Sequence, residues 1–133
     1  MVLKLMLKKN LSNLIIVFSI FFLDRISKYT ILSFSQSQNE FNYSVTTFLD
    51  FNLVWNSGIA FGLFSFDQSI YYNLITSIII LVTLLIIWVA LKSKGLEKIS
   101  YLMIVGGSFG NIFDRLYYSS VIDFIDINYN NFH

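Results

Sequence analysis

The chain has no cysteine and no proline, and its one histidine, His133, is the last residue. Without thiols there can be neither disulfides nor thiolate metal sites, and cysteine usage says nothing of redox compartment. A lone terminal imidazole argues against a histidine-centred catalytic group or metal cluster, so no metal and no cofactor is expected. Charge is scarce too. Only 13% of the 133 residues are Asp, Glu, Lys or Arg, about half the share in an ordinary soluble domain. A net charge of +1 supplies no bulk field for nucleic acid, and no nucleic-acid partner is expected.

Apolar surface is what the chain has in excess. Hydrophobic residues make up 56% of it, leaving too little polar surface to cover a soluble exterior. Lipid is therefore expected to receive much of that surface, in a single membrane domain over residues 1–133. Residues 70–91 contain no charge and number about 22, close to the ~20 needed to cross a bilayer. Residues 11–23 are apolar but too few to span alone; Asp24, Arg25 and Lys28 follow, then more apolar residues. Two readings compete there. Lys4, Lys8 and Lys9 could form the basic start of a cleaved signal peptide. No small-x-small cleavage site follows, which favours a retained helix over 11–32 with its charges near one end.

A third span is predicted over 99–115. Its Gly106, Gly107, Ser108 and Gly110 would let a neighbouring membrane helix approach closely. Residues 36–66 read as short strands and a loop at the membrane surface. They are rich in Thr, Val, Phe and Tyr, with Asn42, Asn52, Asn56, Ser57 and Gly58 as turn formers. Lysines then orient the chain: Lys4, Lys8 and Lys9 precede the first span, and Lys92, Lys94 and Lys98 separate the second from the third. No Lys or Arg lies in 29–91. Basic residues favour the cytoplasmic side, which puts the strand region, Asp24, Asn56, Asp114 and Asp123 on the outer face.

Ionisable groups at membrane depth are costly and invite an explanation. Asp24 and Lys28 are four apart on a helix, a pair worth a few tenths of a kcal/mol; they are either interfacial charges or part of a site. Asn56-Ser57-Gly58 is either an ordinary turn or a place where Asn offers both donor and acceptor. Asp114-Arg115 closes the glycine-rich helix as a carboxylate beside a cation. Asp123 lies between Val121-Ile122 and Phe124-Ile125, an apolar setting that suits a general acid, or else is a surface carboxylate at a juxtamembrane turn. On one straight helix, nine residues turn about 900° and put Asp114 and Asp123 on opposite faces. They could meet only if residues 117–120 make a turn.

Four blocks, in order, resemble lipoprotein signal peptidase (signal peptidase II), the membrane aspartic protease family of bacteria. Asp24-x-x-x-Lys28 is similar to the end of that family's first helix, and Asn56-x-Gly58-x-Ala-Phe to its Asn-x-Gly-Ala-Ala-Phe block. Gly106-Gly107-x-x-Gly110-Asn111-x-x-Asp114-Arg115 resembles its third-helix signature, and Val121-x-Asp123-Phe124 the block with one catalytic aspartate. The resemblance implies a four-helix membrane bundle with a small extracytoplasmic β element, of which three helices are present here. It implies a monomer in the bacterial inner membrane, N-terminus cytoplasmic, that cuts prolipoproteins before a diacylglyceryl-cysteine. Asp123 would be catalytic; Asp24, Lys28, Asn56, Gly58, Asn111, Asp114 and Arg115 would line or support the site.

Departures from the pattern are Ile59 for Ala, Ser119 where Gly is common, and Trp55 for a frequent basic residue. The family's second aspartate sits in a Phe-Asn-x-Ala-Asp block opening a fourth helix, and the chain stops at Asn131-Phe132-His133 before any such block. Asp126 matches no catalytic position. With one carboxylate of two, the chain is expected to be inactive or very weak. The alternatives are a non-catalytic small membrane protein that packs against other helices, or an ion pathway, for which charges spread along the spans would be needed.

Overall fold

The computed structural model describes residues 2–38, 42–57 and 68–127. Its elements follow in the order α1 (Val2–Gln38), β1 (Asn42–Thr46), β2 (Leu49–Asn56), α2 (Gln68–Lys92), α3 (Gly95–Tyr118) and β3 (Val121–Ile127). Gly58 and the rest of 58–67 lie outside the described residues.

α1 is longer than the expected span. It contains neither Gly nor Pro and runs for 37 residues, about 55 Å at the usual rise. Asp24, Arg25 and Lys28 therefore sit inside the helix rather than near its end. They are accommodated because Arg25 and Lys28 reach Asp114 on α3 and also pair with Asp24 beside them. α2 extends from Gln68 to Lys92, across the charge-free residues 70–91. Its segment Ile70–Lys92 is the one helix, among the described residues, that is long and apolar enough by itself to cross a membrane. Along the helices, Ser27, Thr30, Ser77, Thr83 and Ser100 each donate to the carbonyl four residues earlier. A hydroxyl satisfied by its own helix makes no demand on its surroundings.

Contacts fix the helix directions. The backbone of Gly106 lies against Val17 and Ile20, that of Gly110 against Asp24, and Asp114 against Lys28. Positions on α1 and α3 rise together, so the two helices run parallel. Tyr72, near the start of α2, donates to the Arg115 carbonyl at 2.6 Å. Ala90, near its end, packs with Val17, Leu102 and Val105. α2 is thus antiparallel to its neighbours. Lys92, Lys94 and Lys98 gather at one end of the molecule, while the Asp24–Lys28 turn, the end of α3 and the sheet gather at the other.

The buried apolar core is small, limited among the described residues to Val17, Ala90, Leu102, Val105, Val121 and Ile122. Outward-facing side chains on all three helices are large and apolar, including Leu14, Phe18, Phe22 and Ile26 on α1 and Leu74, Ile78, Leu81, Leu85 and Trp88 on α2. Hydrophobic exterior of this extent marks an interaction surface rather than a solvated one.

Three strands form an antiparallel sheet in the order β1-β2-β3. Thr47 and Phe48 make the tight β1–β2 connection, with a bulge between Ser44 and Thr46. A second bulge lies where Phe51 pairs with Ile125 and Val54 with Asp123, two β2 residues opposing one of β3. β3 had no counterpart among the expected elements. α3 stops at Tyr118, and Ser119 adopts a left-handed conformation (φ 57°, ψ 18°) that turns the chain into β3. The turn required between Asp114 and Asp123 is therefore present. Trp55 of β2 meets Tyr118 edge-on at 5.7 Å between ring centres, which docks the sheet on the end of α3.

Candidate functional site

The glycine-rich motif works as a seam. Gly106 and Gly110 are one helical turn apart on the α3 face that meets α1, whereas a Cβ at Gly107 would meet nothing within 4 Å. At Gly106, an added Cβ would lie 2.8 Å from the Val17 carbonyl oxygen; at Gly110 it would run into the Asp24 carboxylate. The two backbones come close enough for short polar side chains of α1 to reach those of α3.

Four charged groups meet at the upper end of that seam. Lys28 Nζ is 2.6 Å from Asp114 Oδ2, 3.0 Å from Asn111 Oδ1 and 3.1 Å from Asp24 Oδ1. Its three hydrogens thus have three acceptors. Arg25 donates from Nη1 to Asp114 Oδ1 at 2.5 Å, from Nη2 to the Gly110 carbonyl at 3.0 Å, and from Nε and Nη2 to Asp24 Oδ2. Its guanidinium lies 4.9 Å from the Phe113 ring centre. Asp114 has no exposed side-chain surface, and Lys28 only 6%. Two carboxylates and two cations balance within the cluster, the condition under which buried charge is tolerated.

Arg25 is among the charges that follow the first apolar run but not among the candidate site residues, and the neighbour expected beside the Asp114 carboxylate is Arg115. The structure assigns these parts differently. Consecutive residues on a helix point about 100° apart, so Arg115 turns away from Asp114. It is buried against α2, with its guanidinium 5.5 Å from the Tyr72 ring centre. Among the described residues, its Nε and Nη1 have no hydrogen-bond partner. Asp24 and Lys28 form the expected i, i+4 pair and also join the cluster. The only signal for Arg25 was its place beside Asp24.

Asp123 stands on the sheet next to the cluster. β3 begins where the Ile122 amide donates to Asp114 Oδ2 at 3.4 Å, and the next residue is Asp123. In the ladder, Val54 opposes Asp123 and Asn56 opposes Val121, so Asn56 is the diagonal neighbour on the same face. Its side-chain amide donates to Asp123 Oδ2 at 2.8 Å. Asn56, Asn111, Asp114 and Asp123 are thereby brought to one end of the molecule, together with Asp24 and Lys28. Gly58 lies outside the described residues. Beside the cluster is an open cleft of about 340 Å³ lined by Arg25, Lys28, Tyr29, Phe113, Tyr118 and Ile122, among others; Asp123 is not part of its lining.

Residues 16–133 match the sequence model of signal peptidase (SPase) II. The chain belongs to the signal peptidase II family. As a member it is a hydrolase, a membrane peptidase of lipoprotein processing. The lipoprotein signal peptidase of Pelagibacter ubique is 42% identical over 130 residues, covering 98% of this chain and 78% of that protein. That of Wigglesworthia glossinidia brevipalpis is 44% identical over 126 residues, covering 90% and 76%. Two solved structures described as bacterial membrane enzymes share the fold. They have TM-scores of 0.62 and 0.63 at 20% and 21% identity, each over 92% of this chain and over 74% and 79% of the solved chains.

Proposed function

We propose that this peptidase removes signal peptides from prolipoproteins bearing diacylglyceryl-cysteine, with Asp123 as one of two catalytic carboxylates. The observation that carries the reading is the setting of Asp123. It is half-buried on a strand seated on the end of α3, with one oxygen held by Asn56. Among the described residues nothing bonds its other oxygen, Oδ1. Two close carboxyls share a proton, so that one accepts a proton from water while the other donates to the scissile carbonyl. No metal or cofactor takes part.

Asp114 and Asp24 are unsuited to be the partner. Both are engaged by Arg25 and Lys28, and a carboxylate clamped by two cations is a poor proton carrier. They are read as supports, with Lys28 and Asn111. Arg115 supplies buried N–H donors that have no acceptor among the described residues; peptide carbonyls of a substrate would satisfy them. Asn56 is read as holding Asp123 in place, and Gly58 is read as a site residue from the family motif. Asp123→Asn should abolish cleavage of a diacylglyceryl-modified prolipoprotein, and continued cleavage by that variant would contradict the two-carboxylate reading.

The three helices are read as spans of a monomer in the bacterial inner membrane, with the N-terminus cytoplasmic and the sheet outside. The parallel α1 and α3 and the antiparallel α2 support this, because they collect Lys92, Lys94 and Lys98 at the end away from Asp123. Lipid then covers the apolar exterior.

A further inference from the structure

We propose that Arg25 is a positioning residue for Asp123: by fixing the Asp114 carboxylate it sets the strand on which Asp123 stands. The role of Asp123 in catalysis rests on the reading above, whereas the dependence of β3 on Arg25 does not.

The path has no gap. Arg25 Nη1 holds Asp114 Oδ1 at 2.5 Å, and the other oxygen, Oδ2, receives the Ile122 amide at 3.4 Å. That second bond is long, and a long bond is sensitive to the orientation of its acceptor. Lys28 also binds Oδ2, but an ammonium is a point charge that attracts a carboxylate without fixing its plane. A guanidinium is a rigid fork. Arg25 is itself immobilised by Asp24, the Gly110 carbonyl and the face of Phe113, so its grip on Oδ1 fixes the rotation of the whole carboxylate. Ile122 is 1% exposed and opposes Trp55, with Asn56 next in the ladder. Displacing its amide would shift Asp123 against Asn56, its hydrogen-bond donor.

The test uses the protein in lipid nanodiscs, comparing it with Arg25→Gln and Arg25→Lys by nuclear magnetic resonance. Glutamine removes the charge and the fork; lysine keeps the charge alone. In Arg25→Gln, exchange of the Ile122 amide should quicken about tenfold, as for loss of one hydrogen bond. The Asn56 side-chain amide should change its resonance, while amides at the far, Leu49–Ile127 end of the ladder stay as they were. Arg25→Lys should fall between. If Arg25→Gln fails to fold, Arg25→Lys is read by the same criteria. Unchanged Ile122 exchange would overturn the proposal. So would a uniform rise over α1, α3 and the sheet with a lower Tm, which would make Arg25 a helix–helix staple only. With the Phe-Asn-x-Ala-Asp helix supplied, Arg25→Lys should lower kcat while leaving KM within about twofold; an unchanged kcat would also overturn it. If the unsubstituted protein with that helix cuts no prolipoprotein, the proposed function falls, and the Ile122 exchange still decides the role of Arg25.

Discussion

Gly106 and Gly107 are neighbours with opposite surroundings. Alanine at Gly106 would press on the Val17 backbone carbonyl, which cannot rotate away. At Gly110 it would press on a carboxylate pinned by Arg25 and Lys28. Either substitution should cost about 1–3 kcal/mol, as overpacking does. Gly107→Ala should be neutral or gain up to about 1 kcal/mol from helix propensity. Thermal unfolding in detergent of the three variants checks the contrast, and an equal loss at Gly107 would contradict the seam. Ser119 carries a left-handed φ without being glycine. Relief of that strain, about 1 kcal/mol, exceeds or matches the added unfolded-state entropy. Ser119→Gly should therefore hold or slightly raise Tm; a marked fall would contradict this. The sequence showed that small residues crowd α3 and that Ser119 stands where Gly is common. Which glycine faces α1 depends on helix phase against a partner about ninety positions away, and no local pattern carries it.

Between elements, the charged cluster is what joins α1 to α3 above the glycine seam. Asp114→Ala would leave Arg25 and Lys28 with Asp24 alone between them, so that one of the two cations is uncompensated. Breaking a buried pair costs about 3–5 kcal/mol, so this variant should unfold at much lower denaturant or temperature. Replacing all four groups together (Asp24→Leu, Arg25→Met, Lys28→Met, Asp114→Leu) should cost clearly less, because no lone charge remains. A quadruple variant less stable than Asp114→Ala would show that the ion pairs contribute net stability. The Asp24–Lys28 pair was legible from its spacing, whereas Asn111 and Asp114 stood out through the motif they share with the family. The length of α1 was not, since a run of apolar residues ends to the eye at Asp24, although charge on a helix is admissible where a second helix neutralises it. β3 was equally hidden: Val121–Ile127 is short and mostly apolar, and it becomes a strand through pairing with β2, some seventy positions earlier.

At the scale of the whole molecule, one end is basic and the other carries the sheet and the cluster. That polarity was legible from the lysines alone, because hydropathy and charge asymmetry do not depend on tertiary contacts. The absence of cysteine makes it simple to test. A cysteine at Ser44, exposed on β1, should react with an impermeant maleimide in intact cells, and one at Lys94 only after permeabilisation. The reverse pattern would invert the proposed orientation. The central claim is the role of Asp123, and it is tested most directly in a polypeptide that also carries the Phe-Asn-x-Ala-Asp helix. Conversion of a diacylglyceryl-modified prolipoprotein is compared between that polypeptide and its Asp123→Asn and Asp126→Asn variants, each confirmed as folded by its Tm. The account predicts a loss of about a thousandfold or more for Asp123→Asn and near-normal conversion for Asp126→Asn. Continued cleavage by folded Asp123→Asn would contradict it.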